Sequence, residues 1–157
     1  MPARASRRPV ARLALDLQIA SRAIGVPARG CFRVWARTAL RKSGEITVRV
    51  VGTAEGRRLN RLYRGRDYAT DVLAFAYPGA RGALQGDIVL CAPVIAREAR
   101  AQGKTLKAHF AHLTVHALLH LQGCDHAGKR EAARMEARER RLLAKLGYPD
   151  PYKEIGN

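Results

Sequence analysis

The sequence predicts an α+β fold: one small mixed β-sheet of about four strands with helices packed on it. Three observations carry this expectation. Apolar residues recur with a period of two in "LALDLQIA" and "EITVRVVG", the mark of half-buried strands. Two further short apolar runs, "VLAFAY" and "GDIVLCAP", are bounded by Pro78-Gly79 and Pro93. Beyond Pro93 the periodicity is helical only, so strands and helices alternate first and helices alone follow.

In chain order, Leu13, Leu15, Leu17 and Ile19 alternate with Arg12, Ala14, Asp16 and Gln18, which gives the first strand. "GVPARG" is a loop. "CFRVWARTALRK" has helical spacing, with Phe32, Trp35 and Ala39 on one side, and Ser43-Gly44 ends it. Ile46, Val48 and Val50 share one face of the second strand. Thr53 is the expected cap of the helix "AEGRRLNRLY". "RGRDYATD" is a polar connection, and the glycine-rich "PGARGALQ" suits a hairpin between the third and fourth strands. Three helices follow, "VIAREARAQG", "LKAHFAHLTVHALLHLQG" and "GKREAARMEARERRLLAKLG", each stopped by a glycine. In the last of them Met135, Leu142 and Leu146 fall roughly on one side, a narrow apolar stripe on a solvated helix.

The chain of 157 residues fits a single domain, 1–157, with residues 1–9 a frayed basic tail. Its 47% hydrophobic residues exclude a disordered reading. No apolar run approaches the ~20 residues that span a bilayer. Asp16 and Gln18 interrupt the only run resembling a secretion signal. Three scattered cysteines, Cys31, Cys91 and Cys124, form no disulfide framework, and a cytoplasmic location is expected. Lys and Arg total 29 against 13 acidic residues, a net charge of +16. A field of that sign draws polyanions, nucleic acid foremost.

Chemistry concentrates in "HALLHLQGCDH", residues 116–126. His109, His112, His116 and His120 are spaced by three, four and four, so one stripe of one helix carries all four. Gly123 follows the last turn and can take a positive φ, letting the chain turn back and bring His126 towards His116 and His120. His116, His120 and His126 are therefore the favoured metal ligands. Three imidazoles with a fourth position open is the catalytic zinc pattern, and four protein ligands the structural one. Cys124, inside the turn, could replace a histidine or close the fourth position. Asp125 could ligate or orient an imidazole. A zinc protease of the His-Glu type carries Glu after its first histidine; Ala117 stands there, which counts against that class.

These residues bring a family into view. "HALLHLQGCDH" resembles the His-Gly-x-x-His-Leu-x-Gly-Tyr-Asp-His signature of the YbeY family of bacterial zinc-dependent endoribonucleases. "LNRLYRGRDYATDVLAF", residues 59–75, resembles that family's second block, "GDIVLCAPV" its third, and "LLAKLGYPDPY" its tail. The resemblance implies an α+β fold and one Zn2+ per chain on His116, His120 and His126. It further implies cleavage of single-stranded RNA, maturation of the 3′ end of small-subunit ribosomal RNA and ribosome quality control. The implied partners are rRNA precursor, the small ribosomal subunit and its assembly factors, with no membrane. The second block's arginine maps to Arg64, a catalytic candidate with His116. Three positions depart from the pattern: Ala117 for the usual Gly, Cys124 for Tyr and Ala74 for Ser.

As a mechanism, Arg64 would clamp a phosphate through paired guanidinium donors and stabilise charge growing in the transition state. Thr70 and Asp71 would shape the same loop, Asp71 equally well as a turn residue alone. Two competing readings stand beside this one. The first is a non-catalytic RNA- or ribosome-binding module with a structural zinc. The second is a zinc hydrolase acting on a peptide or small molecule, disfavoured by Ala117 and by the charge.

Overall fold

In the computed structural model, which describes residues 12–79, 82–124 and 127–153, nine elements follow one another. They are β1 (Leu13–Ala20), α1 (Arg29–Ala39), β2 (Gly44–Val51), α2 (Thr53–Arg64), β3 (Val72–Tyr77), β4 (Leu84–Cys91), α3 (Ala92–Ala101), α4 (Leu106–Leu121) and α5 (Lys129–Lys145). The expected basic tail, residues 1–9, lies outside the described residues, as do Asp125 and His126.

The four strands form one mixed sheet in the order β1-β2-β4-β3. β1 and β4 both run parallel to β2, and β3 runs antiparallel to β4 as the expected hairpin. The register places Leu17, Val48, Ile88 and Ala74 in one row across the sheet. That face meets α1, α4 and α5 over the main core, where Phe32, Trp35, Val48, Ile88, Phe110 and Leu118 are almost wholly buried. The opposite face carries a smaller cluster, Val51, Leu73, Val89, Cys91 and Val94, with Leu59 of α2 packed against it.

α4 is the pillar of the structure. It touches α1, α3, α5, β3 and β4, and a helix so surrounded is apolar on most sides. Eleven of its residues are buried, from Ala108 to Leu121, His109 among them. Gly86 of β4 lets it settle on the sheet: a Cβ there would lie 2.8 Å from Leu121 Cδ1 and 2.9 Å from the Phe75 carbonyl. Thr105 caps the helix, its hydroxyl accepting from the Ala108 N–H at 3.1 Å.

Two local expectations are corrected. Thr53 is the first helical residue of α2, not its cap; Gly52 holds the cap position with no side-chain hydrogen bond. Pro93 does not separate β4 from a later helix. α3 begins at Ala92, with Pro93 inside its first turn, where a missing N–H costs nothing.

Candidate active site

α2 ends in a left-handed glycine, Gly65 at φ 69°, which releases the chain into the connection 65–71. Asn60, 2% exposed, secures that connection by donating from Nδ2 to the Tyr68 carbonyl at 2.7 Å. The connection then enters β3, an edge strand lying beside α4. A cleft of about 260 Å³ opens between these parts, lined by Arg64, Thr70, Ala74, His116, Ala117 and His120, with Arg66 and Tyr68 also on its wall. Two segments 52 residues apart in sequence, at Arg64 and His116, thus share one concave site.

Arg64 lies along the β3 edge. Its Nη2 donates to the Ala74 carbonyl at 3.4 Å, and its guanidinium sits 5.9 Å from the centre of the Phe75 ring. His116 and His120 occupy successive turns of α4 on the cleft wall. Gly123, just beyond α4, takes the positive φ that the sequence allows it, 92°. His126 and Asp125 fall outside the described residues. Among the described residues no three His, Cys, Asp or Glu side chains gather as a metal cage. The described donors nonetheless suit zinc: two imidazoles one helical turn apart on one wall of the cleft.

Cys124 Sγ accepts from Arg138 Nη1 at 3.1 Å, so α5 engages the thiol. Asp71 does not line the cleft. Its Oδ1 accepts from the Val72 N–H at 2.7 Å, the act of a turn residue, and from Thr70 Oγ1 at 3.5 Å. Its carboxylate also reaches Glu98 of α3. Burial first, then the charge and hydrogen bond of Asp71, push the Glu98 carboxyl up to about 7. Glu98 Oε1 in turn contacts His109 Nε2 at 3.1 Å. Burial, aided by the charges of Lys104 and His112, pushes His109 down to about 4. Asp71, Glu98 and His109 therefore brace the loop from behind rather than face the cleft.

Three residues of the site escape a reading by sequence spacing: Glu139, Tyr152 and Asn60. Glu139 of α5 is fully buried, with one oxygen 2.5 Å from His116 Nδ1 and the other 3.1 Å from His112 Nε2. Tyr152 donates its hydroxyl to that second oxygen. Burial by itself would raise the Glu139 carboxyl, but the hydrogen bonds from His112, His116 and Tyr152 together outweigh it and hold the group down to about 2. Tyr152 is pushed up, by burial first and then by the Glu139 bond and charge. The available signal was position: Glu139 stands four residues after Met135 and four before Leu143, both buried, so a carboxylate occupies the inward stripe of α5.

The chain as a whole is similar to known proteins. The family model described as Endoribonuclease YbeY matches residues 18–147. A protein of Aromatoleum aromaticum named Endoribonuclease YbeY is 58% identical over 147 residues, covering 90% of this chain and 93% of the relative. Its namesake in Methylibium petroleiphilum is 53% identical over 145 residues, covering 92% and 96%. The solution structure of TM1509 from Thermotoga maritima shares the fold, with a TM-score of 0.52 at 21% identity, covering 87% of this chain and 99% of that one. The chain belongs to the Endoribonuclease YbeY family.

Proposed function

We propose that the protein is a zinc-dependent endoribonuclease specific for single strands, acting in the maturation of the small-subunit rRNA 3′ end and in ribosome quality control. The observation that carries this reading is the cleft itself, where Arg64 from α2 meets His116 and His120 from α4. The relatives' shared name, Endoribonuclease YbeY, supplies the reaction class. The net charge of +16 supports a polyanionic substrate. Tyr63 and Tyr68, each more than half exposed beside Arg64 and Arg66, offer π-faces to unpaired bases.

His116, His120 and His126 would hold one zinc ion per chain, which would supply Lewis acidity to the cleavage. The chain's own residues do the rest. The guanidinium of Arg64 offers paired donors to the phosphate. The Ala74 carbonyl and the Phe75 ring hold that guanidinium at the cleft before substrate arrives, so its donors need little reordering as charge grows. Thr70 and Tyr68 bound the entrance, on a loop fixed by Asn60. In the alternative reading, a binding module, Cys124 would close a four-ligand zinc site; here its sulfur accepts from Arg138 Nη1 instead.

The partners of this reading are single-stranded rRNA precursor and the small ribosomal subunit with its assembly factors, met in the cytoplasm. No described helix is long and apolar enough to cross a membrane. The test is cleavage of a single-stranded small-subunit precursor fragment against the same fragment annealed to its complement. Cutting of the single strand alone is expected. Equal cutting of both, or of neither, contradicts the proposal.

A further inference from the structure

We infer that Glu139 is a positioning residue for the cleft: its buried carboxylate keeps a proton on Nδ1 of His116 and so turns the lone pair of that ring to Nε2. The inference rests on the proposed role of His116 as a zinc ligand.

Glu139 has no exposed surface and sits on the inner stripe of α5 between Met135 and Leu143. A carboxylate in such a place loses its hydration and persists only when it is fully partnered. Its partners divide cleanly. Among the described residues one oxygen contacts His116 Nδ1 at 2.5 Å, while the other takes His112 Nε2 and the Tyr152 hydroxyl. His112 does not line the cleft with His116. Its Nδ1 is buried without a hydrogen-bond partner among the described residues, which fits a lone pair there and the proton on Nε2, facing Glu139.

An imidazole cannot ligate through a nitrogen that carries a proton. With Nδ1–H given to Glu139, His116 has its lone pair on Nε2, and a carboxylate behind the ring makes that nitrogen a stronger donor. The contact also fixes rotation of a side chain that is 29% exposed and would otherwise turn. Tyr152, from the segment after α5, packs edge-on to His112 with ring centres 5.2 Å apart. It pins the far oxygen and leaves the near one directed at His116.

The experiment compares wild type, Glu139→Gln and Tyr152→Phe as whole chains. Long-range 1H–15N NMR on the metal-free protein reads which nitrogen of His116 holds the proton, independently of activity. Zinc affinity is then read by competition with a chromophoric chelator, and folding by thermal melting. The expected wild-type result is a proton on Nδ1. Glu139→Gln should give mixed tautomers and bind zinc about 10–100-fold more weakly while still folding. Tyr152→Phe should keep the Nδ1 tautomer and nearly all of the zinc affinity. A proton on Nε2 in the wild type, or unchanged tautomer and affinity in Glu139→Gln, overturns the positioning role. Absence of zinc binding by the wild type, with the Nδ1 tautomer in place, instead overturns the zinc reading and takes the metal-directed part of this inference with it.

Discussion

Replacing His109 by Gln should make the protein gain stability relative to wild type as the pH falls. His109 is 3% exposed, and its folded value lies near 4 against an ordinary 6.5. A depressed histidine is neutral in the fold and protonated in the unfolded chain between those values. Its contribution is therefore present above 6.5 and lost as the pH falls towards 4. At about 1.36 kcal/mol per unit, the loss between pH 7 and pH 5 is about 2 kcal/mol. Lys104, His112 and Asp71 also face this ring and stay in place in the variant. Glu98, raised to about 7, works in the opposite sense: its contribution is full below 4.5 and lost as the pH rises through 7. In the wild type the two largely offset each other between 4.5 and 6.5, one proton being bound in either state. A glutamine can still donate from its amide to Glu98 Oε1 while carrying no titratable group. Urea unfolding at pH 7 and pH 5 measures the effect directly. The variant-minus-wild-type difference should grow by about 2 kcal/mol in the variant's favour at the lower pH. A difference that stays constant to within about 0.5 kcal/mol would refute the account of this pair.

Other outcomes follow from single contacts. Gly86→Ala drives a methyl into Leu121 and the Phe75 carbonyl, and should cost about 1–3 kcal/mol in denaturant melts; an unchanged midpoint contradicts the close approach of α4 to the sheet. Arg64→Ala removes an exposed guanidinium from the cleft. Its melting point should be close to wild type while RNA cleavage falls about 10²–10³-fold. Wild-type turnover in that variant would end the catalytic role of Arg64. Binding of single-stranded RNA should weaken with salt, the log–log slope steepening by about 0.7 for each phosphate neutralised. A flat salt titration would remove the electrostatic part of the argument.

How far the sequence is legible depends on what each residue meets. β1, β2 and α1 can be read from it because their periodicity reflects burial on one face, and Phe32, Trp35 and Ala39 are indeed buried. Strand order is not legible, since β4 inserts between β2 and β3 through pairings that no local pattern encodes. The helix starts at Thr53 and Ala92 mislead for a local reason: neither α2 nor α3 has a side-chain cap, so the cue that marks Thr105 is absent there. In the site, the histidine spacing and the family blocks point to Arg64, Thr70, His116 and His120, and the fold brings these four to one cleft. Asp71 shares their block but turns to Glu98. Glu139 is hidden because a charged residue in a helix rich in Arg and Glu resembles any solvated position. Only the packing of α5 on α4 reveals it as the buried partner of two histidines.

The most direct measurement is cleavage of a single-stranded small-subunit rRNA precursor fragment by the wild type and by His116→Ala, purified alike, checked for folding and assayed for bound zinc. Cleavage and zinc in the wild type, with both lost in a folded variant, is the predicted result. Equal cleavage by the two proteins would place the chemistry outside the His116 cleft and contradict the account.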